Sequence, residues 1–552
     1  MTLDQRLSQL KATYDIVGQI NLDQLNALQF FERNNWLTKQ LLSVFSPDYK
    51  NNQRILLVLQ NNQSTLPILE LLTEVQRQLN DVDISNFFVV LVAPENSSVG
   101  ETLEWVAKNV SIDPIPINLA VYDSNEAYDY NSSTPVNIKL DQLPEREKYL
   151  LTESKTFCMY PWVHIHAYPT GDAYPCCMSD MQHSIGNTRK NTLEEIWNSS
   201  GLRKIRRDML NDQCSSACTN CYEKEHSGFF SGRMSANKHH GHHIDKVRNT
   251  KEDGTVDKFE MVYWDIRFSN LCNLSCRSCG HIFSSNWYAD QAKLAGPEWA
   301  KHNTVLNYAG RHKTDMWEQL EPHLEYVEQI YFAGGEPLLM EEHYNILEEL
   351  VKRNRFNVRL IYNTNFTHVS LKDRTVFDYW KLFESVSVGA SLDDMGARAE
   401  YIRKGTVWAD IETNRRLMLE MCPEVDFYIS PTLSIMNANN ICEFHRYMVD
   451  QELIQPGNLN VNILQDPMHL RIDIAPMAYK LHLKEKFERH LEWLRPLDTL
   501  GRATVGFESA INFMSFADNS YMLPNFWNKT RELDSLRNED VLQVLPELKA
   551  LL

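Results

Sequence analysis

The chain of 552 residues carries a formal charge of −18, 43% hydrophobic residues and eleven cysteines, at a mean hydropathy of −0.42. That length supports three or four domains with a substantial core, and the acidic balance excludes a generic nucleic-acid binder, a local basic patch at 203–207 aside. No apolar run approaches the roughly 18 residues of a membrane span and the start, MTLDQRLSQLK, lacks a signal-peptide core; a cytoplasmic protein with no membrane association is expected, whose cysteines serve metal or catalysis rather than disulfides.

In chain order, residues 1–145 read as a small α/β unit: helical patterns at 3–17, 22–44, 65–79 and 101–110 alternate with strands at 54–59, 87–93 and 117–122, which predicts a parallel layer. The turn after the first of these strands, Gln60-Asn61-Asn62, has no Gly-rich phosphate loop, so the unit is a scaffold or a docking site for substrate rather than a nucleotide domain. The polar stretch 124–143 marks its boundary.

A first cysteine group follows at 150–228. Cys158 is followed by twelve residues, Gly171, four residues and Cys176; Cys177 is adjacent, and Cys214, Cys218 and Cys221 come later in DQCSSACTNCYE. A hairpin turning at a glycine sets two thiolates side by side and a C-x2-C loop closes the other edge, a pattern that suits an iron-sulfur cluster or a four-cysteine zinc site. Residues 229–258, with the tract His239-His240-Gly241-His242-His243, read as a polar linker, solvated or able to bind adventitious metal.

The most informative feature lies in SNLCNLSCRSCG, where Cys272, Cys276 and Cys279 form a C-x3-C-x2-C triplet. Three thiolates on one short loop suit three corners of a [4Fe-4S] cube; alone they would also serve as a zinc half-site. The strand pattern at 261–268 leads into this loop. A second strand at 327–333 ends in Gly334-Gly335-Glu336-Pro337, where bare glycines admit a ligand to the backbone and a carboxylate can receive an ammonium. Strands at 358–362 and 386–391 end in Asn363-Thr364-Asn365 and in Ser391-Leu392-Asp393-Asp394, side chains suited to sugar hydroxyls. Strands at 427–434 and 459–464 bring the count to six, with helices between most of them.

These motifs resemble the radical S-adenosylmethionine (AdoMet) superfamily, and the earlier cysteine group resembles its SPASM/twitch auxiliary-cluster domain, placed before the barrel where most members carry it after. The resemblance implies a partial (β/α)6 barrel over 259–475, preceded by the small α/β domain and the cysteine-rich twitch domain, with a helical region over 476–552 covering the open edge or making an interface. It implies a [4Fe-4S] cluster with an open site on Cys272, Cys276 and Cys279, an auxiliary [4Fe-4S] cluster on Cys158, Cys176, Cys218 and Cys221 (Cys177 or Cys214 as replacements), and AdoMet held by Gly334, Gly335, Glu336, Thr364, Asn365, Ser391, Asp393 and Arg403. Where members often carry an aromatic residue before the third cysteine this chain has Ser278, which leaves Phe283 or His281 to stack on adenine.

The resemblance further implies cleavage of AdoMet to a 5'-deoxyadenosyl radical, an electron donor such as flavodoxin or ferredoxin, and a peptide substrate in ribosomal-peptide maturation, with epimerisation of L- to D-residues, a thioether or carbon crosslink, or oxidation as the outcome. L-to-D epimerisation demands a hydrogen donor on the face opposite to abstraction; Cys442, after the fifth strand, is the candidate, with a thiol packed in the wall as the alternative reading, and Cys422 is a core thiol. A dehydrogenase or rearrangement enzyme for a small molecule, sugar or nucleotide, and a non-catalytic metal-binding protein, are the competing readings.

Overall fold

The computed structural model describes residues 138–552 except 227–230, 500 and 517, and before them the backbone of four strands. The chain divides into two compact units, residues 1–130 with 489–504, and residues 131–488 with 505–552.

The first unit contains a four-stranded sheet, β1 (Ile16–Asn21), β2 (Ile55–Gln60), β3 (Phe87–Ala93) and β4 (Asn118–Asp123), in sequential order and parallel throughout. Three strands fall where β-branched and aromatic runs place them. The fourth, β1, overlaps the end of the helical pattern at 3–17: Ile16-Val17 opens a strand that continues through Gly18. The helical patterns at 22–44, 65–79 and 101–110 lie outside the described residues, as does most of the stretch 124–143.

The second unit is built on one eight-stranded sheet. Its centre is five parallel strands, β8 (Tyr263–Ile266), β9 (Gln329–Phe332), β10 (Arg359–Thr364), β13 (Val386–Ala390) and β14 (Asp426–Ile429), paired in sequence order. Helices including α4 (Glu341–Lys352), α5 (Gly396–Ile402), α6 (Trp408–Met421) and α7 (Ile441–Asp450) connect successive strands, as parallel pairing requires. A small hairpin, β11 (Ser370–Leu371) with β12 (Arg374–Thr375), lies between β10 and β13. The strand expected at 427–434 is broken into β14 and β15 (Thr432–Leu433), and the one at 459–464 shrinks to β16 (Asn462–Ile463), which pairs with β15, while Leu459 before it makes a single bridge to Ile429 of β14. Pro431, which has no N–H to donate, interrupts the ladder between β14 and β15.

The sheet does not close. Beyond β8 it continues into β5 (His164–Ala167), parallel to β8, and then β6 (Asp172–Tyr174) and β7 (Gly186–Asn187), both antiparallel. The cysteine-rich segment is thus hydrogen-bonded into the same open sheet. Its hairpin turns at Gly171, whose φ of +88° is left-handed backbone that favours glycine. Two helices follow, α1 (Leu193–Trp197), started by a Thr192/Glu195 capping box, and α2 (Ser200–Leu210). The arginines of α2 form no open basic patch: Arg206 is fully buried over the Trp197 ring and Arg203 pairs with Asp253 at 2.7 Å.

The stretch 229–258 is not a solvated linker. It forms α3 (Gly232–His240) and two short turns, with Arg233, Asn237, Lys238 and His240 buried. At the C-terminus the helical region expected over 476–552 does not end in one continuous helix. The last turns of α8 (Leu523–Arg537) stop at Asn538, which takes left-handed φ, before a short helix and a 3-10 turn. Among the described residues no helix is long and apolar enough to cross a membrane.

Candidate functional site

At the C-terminal ends of the central strands, where parallel α/β sheets keep their ligands, lies a cavity of about 370 Å³, within the range of small-molecule sites. Cys272, Cys276 and Cys279 line it together with Gly334, Gly335, Thr364, Asn365, Ser391 and Arg403. Residues far apart in sequence, carried by four different strand ends, therefore converge as the motif order predicts.

The three thiols sit on one loop after β8. Burial, reinforced by the neighbouring Cys276, pushes Cys272 and Cys279 up to about 12. Such thiols stay protonated unless a cation compensates, so three of them beside one cavity fit iron, which holds them as thiolates. Arg403 Nη1 approaches Cys276 Sγ at 3.7 Å. Burial of that guanidinium is outweighed by the Asp393 carboxylate and the Cys276 sulfur, so its pKa lies above the ordinary arginine value. Asp393 grips Arg403 bidentately, Nε–Oδ2 at 2.8 Å and Nη2–Oδ1 at 2.9 Å, and accepts from the Thr432 amide. It is buried and lies behind the cavity wall, so it orients Arg403 where the sequence placed it beside a ribose.

Gly334 and Gly335 take φ of +83° and +56°. A Cβ on Gly334 would meet the Arg267 side chain at 2.7 Å, and one on Gly335 the Leu271 carbonyl at 2.4 Å. The pair lets the strand end pass directly against the cluster loop. Glu336, expected to receive an ammonium, is fully buried and lines no part of the cavity. Its Oε1 accepts from Leu338 N (3.1 Å) and Thr364 Oγ1 (2.7 Å), and its Oε2 from Asn365 N (2.6 Å). The carboxylate ties the ends of β9 and β10 together. Burial pushes its pKa up to about 7 against the three donors. Asn365 reaches the other way, donating to Asn273 Oδ1 at 2.9 Å and lying 3.9 Å from Cys272 Sγ.

The two aromatic alternatives separate. Phe283 lines the cavity and is partly exposed, held edge-on by Tyr168. His281 turns inward, 2.7 Å from the Thr304 carbonyl oxygen and edge-on to Trp299, and is not available to stack on a ligand. Cys442 does not line the cavity either. Asn440 bonds to Asp394 at 2.6 Å as α7 begins, and this turns Ile441, Cys442 and Phe444 into the core. Cys422 is buried as expected.

Sequence reading missed Arg267, which lines the cavity and lies over the Tyr331 ring. Its partner Asp265 is fully buried between it (2.7 Å) and His166 (3.0 Å) of β5. Burial would raise the Asp265 carboxyl, but the Arg267 and His166 charges hold it well below the usual carboxylate range. Two charges at i and i+2 on one face of a buried strand were the available signal.

The second cysteine site is separate and enclosed. Cys158, Cys176, Cys218 and Cys221 line one small cavity with Met178, Met209 and Arg233. Cys177 and Cys214 do not line it and are exposed. Cys158 precedes β5, Cys176 follows β6, and Cys218 and Cys221 lie on a helical turn across from them. Burial is the main cause that raises Cys158 and Cys176 well above an ordinary thiol and Cys218 to about 12. Four converging thiols with no open side fit a fully ligated metal group, an iron-sulfur cluster or zinc.

Residues 158–222 match the SPASM family, described as an iron-sulfur cluster-binding domain. No curated protein matches the sequence. Similar solved structures include native anSMEcpe with bound AdoMet and Cp18Cys peptide, at 19% identity and a TM-score of 0.29 over 42% of this chain and 60% of that one. Another is native anSMEcpe with bound AdoMet, at 19% identity and a TM-score of 0.29 over 42% of this chain and 61% of that one. The matched part spans about 60% of the length of those chains. In this chain a SPASM-type segment with four converged cysteines thus accompanies a three-cysteine loop that borders a second cavity.

Proposed function

We propose that this chain is a radical AdoMet enzyme that abstracts hydrogen from a peptide, with electrons supplied by a flavodoxin or ferredoxin. The convergence of Cys272, Cys276 and Cys279 with Gly334, Gly335 and Arg403 around one cavity carries the reading. A [4Fe-4S] cluster held by these thiols, with AdoMet beside it, would supply the one-electron chemistry needed to remove hydrogen from an unactivated C–H bond.

The residues divide the work. The three thiols would hold iron and leave one position free for AdoMet. Arg403, fixed by Asp393, presents a cation beside Cys276 to which a carboxylate can bind. Gly334 and Gly335 line the cavity and let the end of β9 pass against the cluster loop, while Glu336 ties that end to the end of β10. Phe283 offers a ring for a flat base, and Thr364, Asn365 and Ser391 offer hydroxyl and amide groups to a sugar.

The peptide assignment rests on the SPASM-type segment together with the apolar surface next to the cavity, where Ile282, Phe283, Val305 and Leu306 are exposed. Asn270 holds this surface together by donating to the His281 and Val305 carbonyls. Such a rim suits side chains of an extended substrate. With Cys442 packed in the core, no cysteine outside the triplet lines the cavity among the described residues, and the outcome of abstraction is left as a hydrogen removal.

Anaerobically reconstituted protein given dithionite and AdoMet should release 5'-deoxyadenosine, and the Cys272→Ala/Cys276→Ala/Cys279→Ala variant should not. With a deuterated peptide, deuterium should appear in that product. Iron-replete wild type that yields no 5'-deoxyadenosine would make this an AdoMet-binding or structural metal protein.

A further inference from the structure

Away from the cavity, His242, His243 and Glu328 bring three ligand atoms within 4.8 Å of one another. The histidines lie on the 3-10 turn Gly241–His243 that follows α3, and Glu328 immediately precedes β9, at the end of that strand opposite Gly334 and Gly335. His242 Nε2 is 2.9 Å from Glu328 Oε2 and His243 Nε2 is 3.0 Å from Oε1. The two rings lie 4.1 Å apart.

We propose that His242, His243 and Glu328 form a binding site for a divalent transition-metal ion, Zn²⁺ in the first instance, independent of both cysteine sites. Two imidazoles with one carboxylate are a borderline N/O donor set that selects zinc over calcium or magnesium. Metal–ligand bonds of about 2.0–2.1 Å at tetrahedral angles put neighbouring ligand atoms about 3.3 Å apart. The observed nitrogen–oxygen separations are within a few tenths of an ångström of that, so a small retreat of the carboxylate admits the ion.

A second observation points the same way. His243 Nε2 is buried and makes no aligned hydrogen bond despite its closeness to Glu328. A buried imidazole nitrogen in that state is costly, and a metal would satisfy it. The partly exposed Glu328 side leaves a fourth position for water.

The site also has a mechanical setting. Asn237 of α3 accepts from Met159 N and donates to the Phe157 carbonyl, and Arg233 donates to the Phe157 carbonyl while lining the four-thiol cavity. An ion on His242, His243 and Glu328 would therefore pin the end of the helix that holds the Cys158 segment to the base of β9. Its role is a brace, remote from the chemistry.

The experiment uses cluster-loaded protein dialysed anaerobically against low-micromolar Zn²⁺, with metal content and Zn K-edge absorption fine structure as readouts. The expected result is one zinc per chain with only nitrogen and oxygen neighbours. In Glu328→Gln affinity should fall more than about tenfold, and in His243→Ala/Glu328→Gln the zinc should be lost with iron content unchanged. No zinc uptake, zinc with sulfur neighbours, or full zinc retention in the double variant would each overturn the proposal. The wild-type spectrum decides even where a variant fails to fold.

Discussion

Arg277, which lies inside the cluster loop between Cys276 and Cys279, forms a buried ion pair with Asp534 of α8, 257 residues away. The same guanidinium reaches Glu539 at 2.6 Å and lies 3.7 Å from the centre of the Tyr401 ring, whose hydroxyl donates to Asp534 at 2.8 Å. Removing Asp534 leaves the buried Arg277 guanidinium with Glu539 as its one remaining carboxylate and the Tyr401 hydroxyl without its acceptor. Asp534→Ala should therefore lower the unfolding midpoint and speed loss of iron from the triplet to a chelator, while the auxiliary iron is retained. Unchanged iron loss would show that α8 does not hold the loop.

Arg403→Lys should weaken AdoMet binding by about tenfold or more, although charge is conserved. Lysine replaces a planar fork with a point charge and cannot keep the bidentate grip on Asp393 while reaching Cys276. A binding isotherm on the reconstituted protein reads this directly.

Glu336 carries a pH signature. Its folded pKa, raised by burial to about 7, exceeds the ordinary 4.5, so the folded chain holds a proton that the unfolded chain has released. The stability it contributes is full below pH 4.5 and is lost as pH rises to about 7, by at most about 3 kcal/mol. Glu336→Gln, which does not ionise, should remove this slope. Thermal midpoints of the two AdoMet-free proteins across that window check it.

Two glycines near the cluster separate space from sequence proximity. Gly335→Ala forces a Cβ to 2.4 Å from the Leu271 carbonyl at a left-handed φ, a strain of about 1–3 kcal/mol or more, and should abolish AdoMet binding. Gly280→Ala, next to Cys279, meets nothing within 4 Å and should bind AdoMet as wild type does.

Local motifs were legible because their signals are local. The C-x3-C-x2-C loop, the Gly334-Gly335 turn and the Gly171 hairpin each carry spacing or φ requirements within a few residues. What pairing decides over distance was not: β5 beside β8, Asp393 behind Arg403, Asp534 on Arg277. Glu336 is instructive, since a carboxylate in a Gly-Gly-Glu turn reads as a ligand group, yet three donors from β10 and its own turn occupy it. The histidine tract misled in the other direction, because four histidines around one glycine conceal which of them lie on a helix that buries them. Cys442 was placed by strand order alone, and a helix start decides only by its packing which way a thiol turns.

The pairing of β5 with β8 has a consequence for how the protein is made. His164 and its register partner Tyr263 lie 99 residues apart, and the last of the four thiols, Cys221, precedes Tyr263 by 42 residues, so at about 5–20 residues per second the ribosome delivers the complete four-thiol segment roughly 2–8 s before the strand that completes its sheet. Through that interval the thiols of Cys158, Cys176, Cys218 and Cys221 have left the ribosome without their final support. Metal delivery and oxidative damage compete for them during translation, and the slower the chain is made, the longer that competition lasts.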